Sequence, residues 1–181
     1  MSSGSIKKSC LFALLLLLFS SCVKDVDLDQ YNEIVIPPTA AIDLIYFTLE
    51  PDDFADASGN LQKATDFLRL EFLDDDYIQD ALIRADFNFV FINSFQQEFV
   101  TTFNFVSENN AVQHTVQINV PAGNVGEPAV VNFTEIVPRS QIDAIRKSIK
   151  LVVEVEMKAN SAPLEGQLQL ESKANYKFEF E

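Results

Sequence analysis

Few residues in this chain could do chemistry, and their spacing narrows what that chemistry could be. His114 is the only histidine. A lone imidazole can serve as a general base or a metal ligand. Here it alternates with Val112 and Val116 on the apolar side of an extended run, where a partly buried histidine bonded to a neighbour is the plainer expectation. No second histidine stands ready to complete a metal site, and no Gly-x-Ser-x-Gly elbow supplies a nucleophilic serine. Asp52, Asp53, Asp56, Ser58 and Asn60 gather around Gly59, and the stretch from Asp56 to Leu61 has the oxygen-rich middle of a calcium loop. Phe54 occupies the place of the first carboxylate and Thr65 that of the bidentate glutamate. These five calcium candidates therefore read first as a hairpin loop in which Ser-Gly-Asn supplies positive φ. Asp74, Asp75, Asp76 and Asp80 form a second acidic group. Paired carboxylates roughly 5 to 10 Å apart in a cleft would suit glycoside hydrolysis, but an acidic run after a strand is by default a solvated surface. With 5 glycines there is no Gly-rich phosphate loop. No catalytic residue, cofactor or firm metal site is expected, and the chain is not read as an enzyme.

The elements that must position these residues follow from composition and periodicity. At 181 residues the chain has room for one domain and a tail, and 48% apolar residues suffice for a packed core. The 27 acidic against 13 basic residues give a net charge of −14, which argues against a nucleic-acid partner. Phenylalanine is abundant at 16, and tryptophan is absent.

Alternation with period two dominates from residue 39 onward, which predicts strands. The runs are Ala41 to Leu49, Phe67 to Leu73, Asp86 to Asn93, Phe99 to Val106, Ala111 to Val120, Ala129 to Ile136, Ile149 to Lys158, and a long amphipathic strand from Leu168 to Phe180. Both faces of Asp86 to Asn93 are largely apolar, so that strand is expected to be buried on both sides. The last two runs are expected to form a hairpin. Ile142, Ile145 and Ile149 mark one face of a short connecting helix over 141–148. The prediction is a mainly all-β protein: an antiparallel β-sandwich of about eight strands with that single helix. A membrane barrel would need apolar outward faces around a polar interior, which these strands do not offer.

The N-terminus carries an address. Lys7 and Lys8 precede the apolar run Leu11 to Phe19, which is too short to span a bilayer alone. Phe19-Ser20-Ser21-Cys22 resembles the lipobox read by the lipoprotein signal peptidase, with Phe19 where that family more often has leucine. The resemblance implies cleavage before Cys22 and attachment of acyl chains, including palmitate, to its sulfur. Cys10 would leave with residues 1–21, so Cys22 would be the last cysteine and no disulfide could form. Loss of Lys7 and Lys8 from the 13 basic residues leaves 11 against 27 acids, or −16. The Lys24-Asp25 step and the acids after it resemble the export signal of Bacteroidota lipoproteins, which implies the outer membrane and its outward face.

The expected organisation is a signal peptide over 1–21, the lipidated Cys22 and an acidic tether over 22–38, and one β domain over 39–181. The expected function is a lipid-anchored cell-envelope interaction module, an accessory subunit with a protein partner in an outer-membrane or surface assembly. The long last strand could offer an edge for strand addition. The alternative is a binder of an apolar or glycan-derived ligand in a Phe-lined cavity, built from the aromatic faces Phe87, Phe89 and Phe91, Phe99, Phe103 and Phe105, and Tyr176, Phe178 and Phe180, which otherwise read as core.

Overall fold

Among the described residues nine strands carry the fold: β1 (Thr39–Asp43), β2 (Phe47–Leu49), β3 (Ala64–Arg69), β4 (Leu82–Asn93), β5 (Glu98–Val106), β6 (Val112–Val120), β7 (Ala129–Val137), β8 (Lys150–Lys158) and β9 (Leu168–Phe178). The computed structural model describes residues 38–54 and 63–180. The signal, Cys22 and the tether lie outside the described residues, as do Asp56, Ser58 and Asn60 of the calcium candidates.

The strands form two antiparallel sheets, one in the order β1-β9-β4-β7 with β2 also on β9, the other in the order β3-β8-β5-β6. The protein is a β-sandwich. With β1 and β2 counted as halves of one strand, eight strands remain, and consecutive strands change sheet everywhere except at the β5–β6 hairpin. This is the order of a jelly roll. It corrects the expected final hairpin, because β8 and β9 lie in opposite sheets. It also removes β9 as an edge: β9 is central, between β4 and the β1/β2 strand.

The alternation places its apolar members between the sheets. Phe87, Phe89 and Phe91 of β4 and Phe99, Phe103 and Phe105 of β5 are fully buried, with Leu151, Val153 and Val155 of β8 beside them. The outer face of β4 (Asn88, Val90, Ile92) is only half-buried, so the strand is not enclosed on both sides. The run Ala41 to Leu49 is broken at residues 44–46, and β3 ends at Arg69, where a 3-10 turn (Glu71–Asp74) begins.

Two helices sit at one end of the sandwich. The first, α1 (Asp76–Ala81), was hidden in the acidic run: Asp75 is its N-cap and accepts from the amides of Tyr77 and Ile78. The second, α2 (Asp143–Arg146), is a single turn inside the expected 141–148. Arg146 joins them by donating to the carbonyls of Asp80 and Leu82 at 2.6–3.0 Å. The C-terminal end of β9 lies here too, where the amide of Phe178 donates to Pro38 O at 3.0 Å. The opposite end is held by buried amides. Asn93 Nδ2 donates to Gln97 O and Pro121 O, while Gln97 Nε2 donates to Asn160 Oδ1 and Ala162 O. Gly166, at φ +124°, passes so close to Ser94 that a Cβ would stand 2.6 Å from its carbonyl oxygen.

The break between β1 and β2 is spliced by a side chain. Ser172 of β9 accepts from the Ile45 amide at 3.0 Å and donates to the Ile45 carbonyl at 2.7 Å, while its own carbonyl accepts from Leu44. The hydroxyl thus replaces a rung of the ladder in a buried place. Replacing it strands both Ile45 backbone groups. Ser172→Ala is expected to cost about 2 kcal/mol in urea denaturation with an unchanged slope; a cost under about 0.5 kcal/mol would show that the splice is not needed.

Candidate functional site

The two flanks of the sandwich differ. On one flank the edge strands β6 and β7 approach each other, and His114 Nε2 of β6 lies 3.0 Å from Glu135 Oε1 of β7. The ring also packs near Phe105, with centroids 5.8 Å apart. His114 is half-buried and bridges the two sheets, whereas its strand neighbour Val112 is 56% exposed. The apolar side expected of this strand therefore begins at Val116 and not at Val112.

The acids have local tasks. Asp53 closes a capping box with Glu50 around the 3-10 turn Pro51–Asp53, accepting from the Glu50 amide at 2.7 Å, and Asp52 is exposed in the same turn. Asp74 pairs with Arg69 at 2.8 Å, Asp75 caps α1, and Asp76 stands in the first turn of α1. Among the described residues, no group of three or more His, Cys, Asp or Glu side chains is placed to hold a metal ion. No described helix is long and apolar enough to cross a membrane.

The phenylalanine faces do not line a space. Phe87 packs on Phe105 with ring centroids 4.6 Å apart, Phe89 on Phe103 at 4.2 Å, and Phe54, Phe95 and Phe99 form a further cluster at 5.2–5.9 Å. The rings meet across the sandwich and fill it.

Two openings lie on the other flank, between the β1/β2 strand and β3. These two edges belong to different sheets and are not paired with each other. A smaller opening of about 210 Å³ runs between Phe47 and Leu49 on one side and Ala64, Val153 and Val155 on the other. A larger one of about 560 Å³ is walled by Ile42, Leu44, Leu68, Leu70, Phe72 and Tyr176. Asp43, Arg69 and Glu71 also border the larger opening and are exposed.

Tyr176 is the one hydroxyl-bearing member of the aromatic faces read from the sequence, and it borders this opening. It lies on the buried face of β9, with Phe72 at 4.6 Å and Phe87 edge-on at 6.0 Å. Its hydroxyl is buried and has no hydrogen-bond partner. The available signal was a polar tip on an otherwise apolar stripe. Burial pushes its pKa well above the ordinary 10.0, so the hydroxyl stays protonated and able to donate.

No family model matches the chain, and no curated protein matches it. Some solved structures match it distantly. Infectious bursal disease virus of the Gx strain shares 14% identity over 80% of this chain and 33% of that chain, with a TM-score of 0.42. The VP2 subviral particle of infectious bursal disease virus shares 10% over 79% and 33%, at 0.43. A protein of Parabacteroides distasonis ATCC 8503, provisionally described as secreted, shares 14% over 63% and 38%, at 0.41. The chain spans about a third of the length of the first of these.

An unpaired buried hydroxyl is costly, and deleting it relieves that cost. Tyr176→Phe is expected to raise stability at pH 7 by about 1 kcal/mol. The wild type holds the Tyr176 proton more tightly when folded, so this contribution is complete below pH 10 and is lost as pH rises beyond it. In pH-dependent urea melts the stability of the phenylalanine variant should fall less steeply above pH 10; parallel curves would refute the assignment.

Proposed function

We propose that this protein is a lipid-anchored interaction module of the bacterial cell envelope. Cys22 carries the acyl chains, and residues 23–38 tether the sandwich to the outer membrane, on its outward face. The module serves as an accessory subunit of an outer-membrane or surface assembly.

The observation that carries this reading is where the chain enters the sandwich. Pro38 lies against Phe178, at the end that holds α1 and α2. The connections 94–97, 121–128 and 159–167 lie at the opposite end, and β2 runs toward them. Nine-residue strands separate the two ends by roughly 30 Å. A tether entering at Pro38 would therefore leave the loop end free for a partner. Those loops are fixed by the Asn93, Gln97 and Asn160 amides, which gives the end a defined shape. The Phe-filled interior also supports an interaction module over a binder that encloses its ligand among those rings. Each buried methylene of the anchor contributes about 0.8 kcal/mol, so two or more acyl chains suffice against a net charge that anionic lipid repels.

Labelled palmitate should appear on the protein in cells and stay in the membrane fraction with it. Cys22→Ala should abolish the label. Crosslinking in intact cells followed by mild-detergent extraction should recover one outer-membrane protein in a 1:1 ratio. Label retained on Cys22→Ala would overturn the anchor, and recovery of the crosslinked protein alone would overturn the subunit role.

A further inference from the structure

Three buried side-chain atoms among the described residues have no hydrogen-bond partner: Gln97 Oε1, Thr101 Oγ1 and Tyr176 Oη. Of these three residues, Tyr176 lines the opening of about 560 Å³ between β1 and β3. A ligand-sized volume and an unsatisfied polar group thus coincide. That volume lies within the range of small-molecule sites, which are mostly apolar with a few placed polar groups.

The surrounding residues specify the ligand. Ile42, Leu44, Leu68 and Leu70 present aliphatic surface and suit a hydrocarbon chain. Tyr176 offers a donor, which calls for an acceptor on the ligand. The charges bordering the opening are Asp43, Glu71 and Arg69, and the Arg69 guanidinium is already held by Asp74. Among these bordering charges no unpaired cation is left to hold an anion, although Lys150 stands 6.0 Å over the ring of Phe67, which also lines the opening. The Tyr176 hydroxyl is buried, so a ligand reaches it only when a wall residue such as Phe72, half-buried and packed on the tyrosine with ring centroids 4.6 Å apart, turns aside.

We infer that this opening binds an uncharged acyl compound, an ester or amide of a fatty acid, whose chain lies along Leu44, Leu68 and Leu70 and whose carbonyl oxygen accepts a hydrogen bond from Tyr176. The site lies on the flank of the sandwich and not among the loops of its far end, and it holds whether or not a protein partner exists.

The test is calorimetric titration of the full chain carrying Cys22→Ala, so that no acyl group of its own competes and no detergent is needed. Monolauroyl glycerol should bind with a 1:1 ratio, and laurate at pH 7.5 should bind at least tenfold more weakly. Tyr176→Phe should weaken the glyceride about tenfold while leaving laurate unchanged. Leu68→Trp, which fills the opening from the half-exposed edge strand, should abolish both. A melting curve on each variant confirms that it is folded. Absence of saturable glyceride binding would overturn the inference, as would laurate binding as tightly as the glyceride, or titrations unmoved by both substitutions in folded protein.

Discussion

The sheets of this sandwich are held at their spacing by phenylalanine rings that meet at a tilt across the gap. Phe89 of β4 lies on Phe103 of β5 and Phe87 on Phe105, with centroids 4.2 and 4.6 Å apart. β4 and β5 are consecutive strands joined by residues 94–97, so one short crossover brings both aromatic rows into register. Tilted rings at this separation add roughly 0.5–1.5 kcal/mol per pair beyond the area they bury. Rings this large also limit what can stand beside them. On β9, Ala174 is the register partner of Phe87 and Ser172 that of Phe89. The small residues of β9 are thus the lateral counterpart of the large ones on β4.

The rest of the architecture follows from that allocation of volume. Because Ser172 is small and polar, it can turn to the other neighbour of β9 and splice the backbone between β1 and β2. The spliced strand forms one wall of the open flank, and β3 forms the other. On the opposite flank His114 and Glu135 link β6 to β7. One side of the sandwich is pinned by a polar contact between sheets, and the other holds its open volume over a buried tyrosine. The rings fill the space between the sheets, and the opening beside Tyr176 lies at the flank.

Much of this was legible in the residues. Period-two alternation located the strands of the sandwich, and the buried faces of β8 and β9 match the apolar halves of their patterns, because a sheet covered on one side imposes that contrast. The errors have physical causes. Alternation reports which residues face inward and says nothing of which strand lies alongside, so β8 and β9 read as a hairpin although they lie in opposite sheets. The break at residues 44–46 is written in Ser172, more than a hundred residues away. The acids before β4 read as a solvated run because their charge masked an N-cap at Asp75. Tyr176 was counted with the core because its ring belongs there. Its hydroxyl became a question only once the volume beside it was visible.

The most direct measurement is a double-mutant cycle on the ring pair between the sheets, Phe89→Leu and Phe103→Leu, read by urea denaturation. If ring-on-ring contact sets the sheet spacing, the two losses should be coupled by about 1 kcal/mol, with the double variant less destabilised than the sum of the singles. Losses that add within about 0.3 kcal/mol would show that the rings act only as bulk, and that something else holds the sheets together.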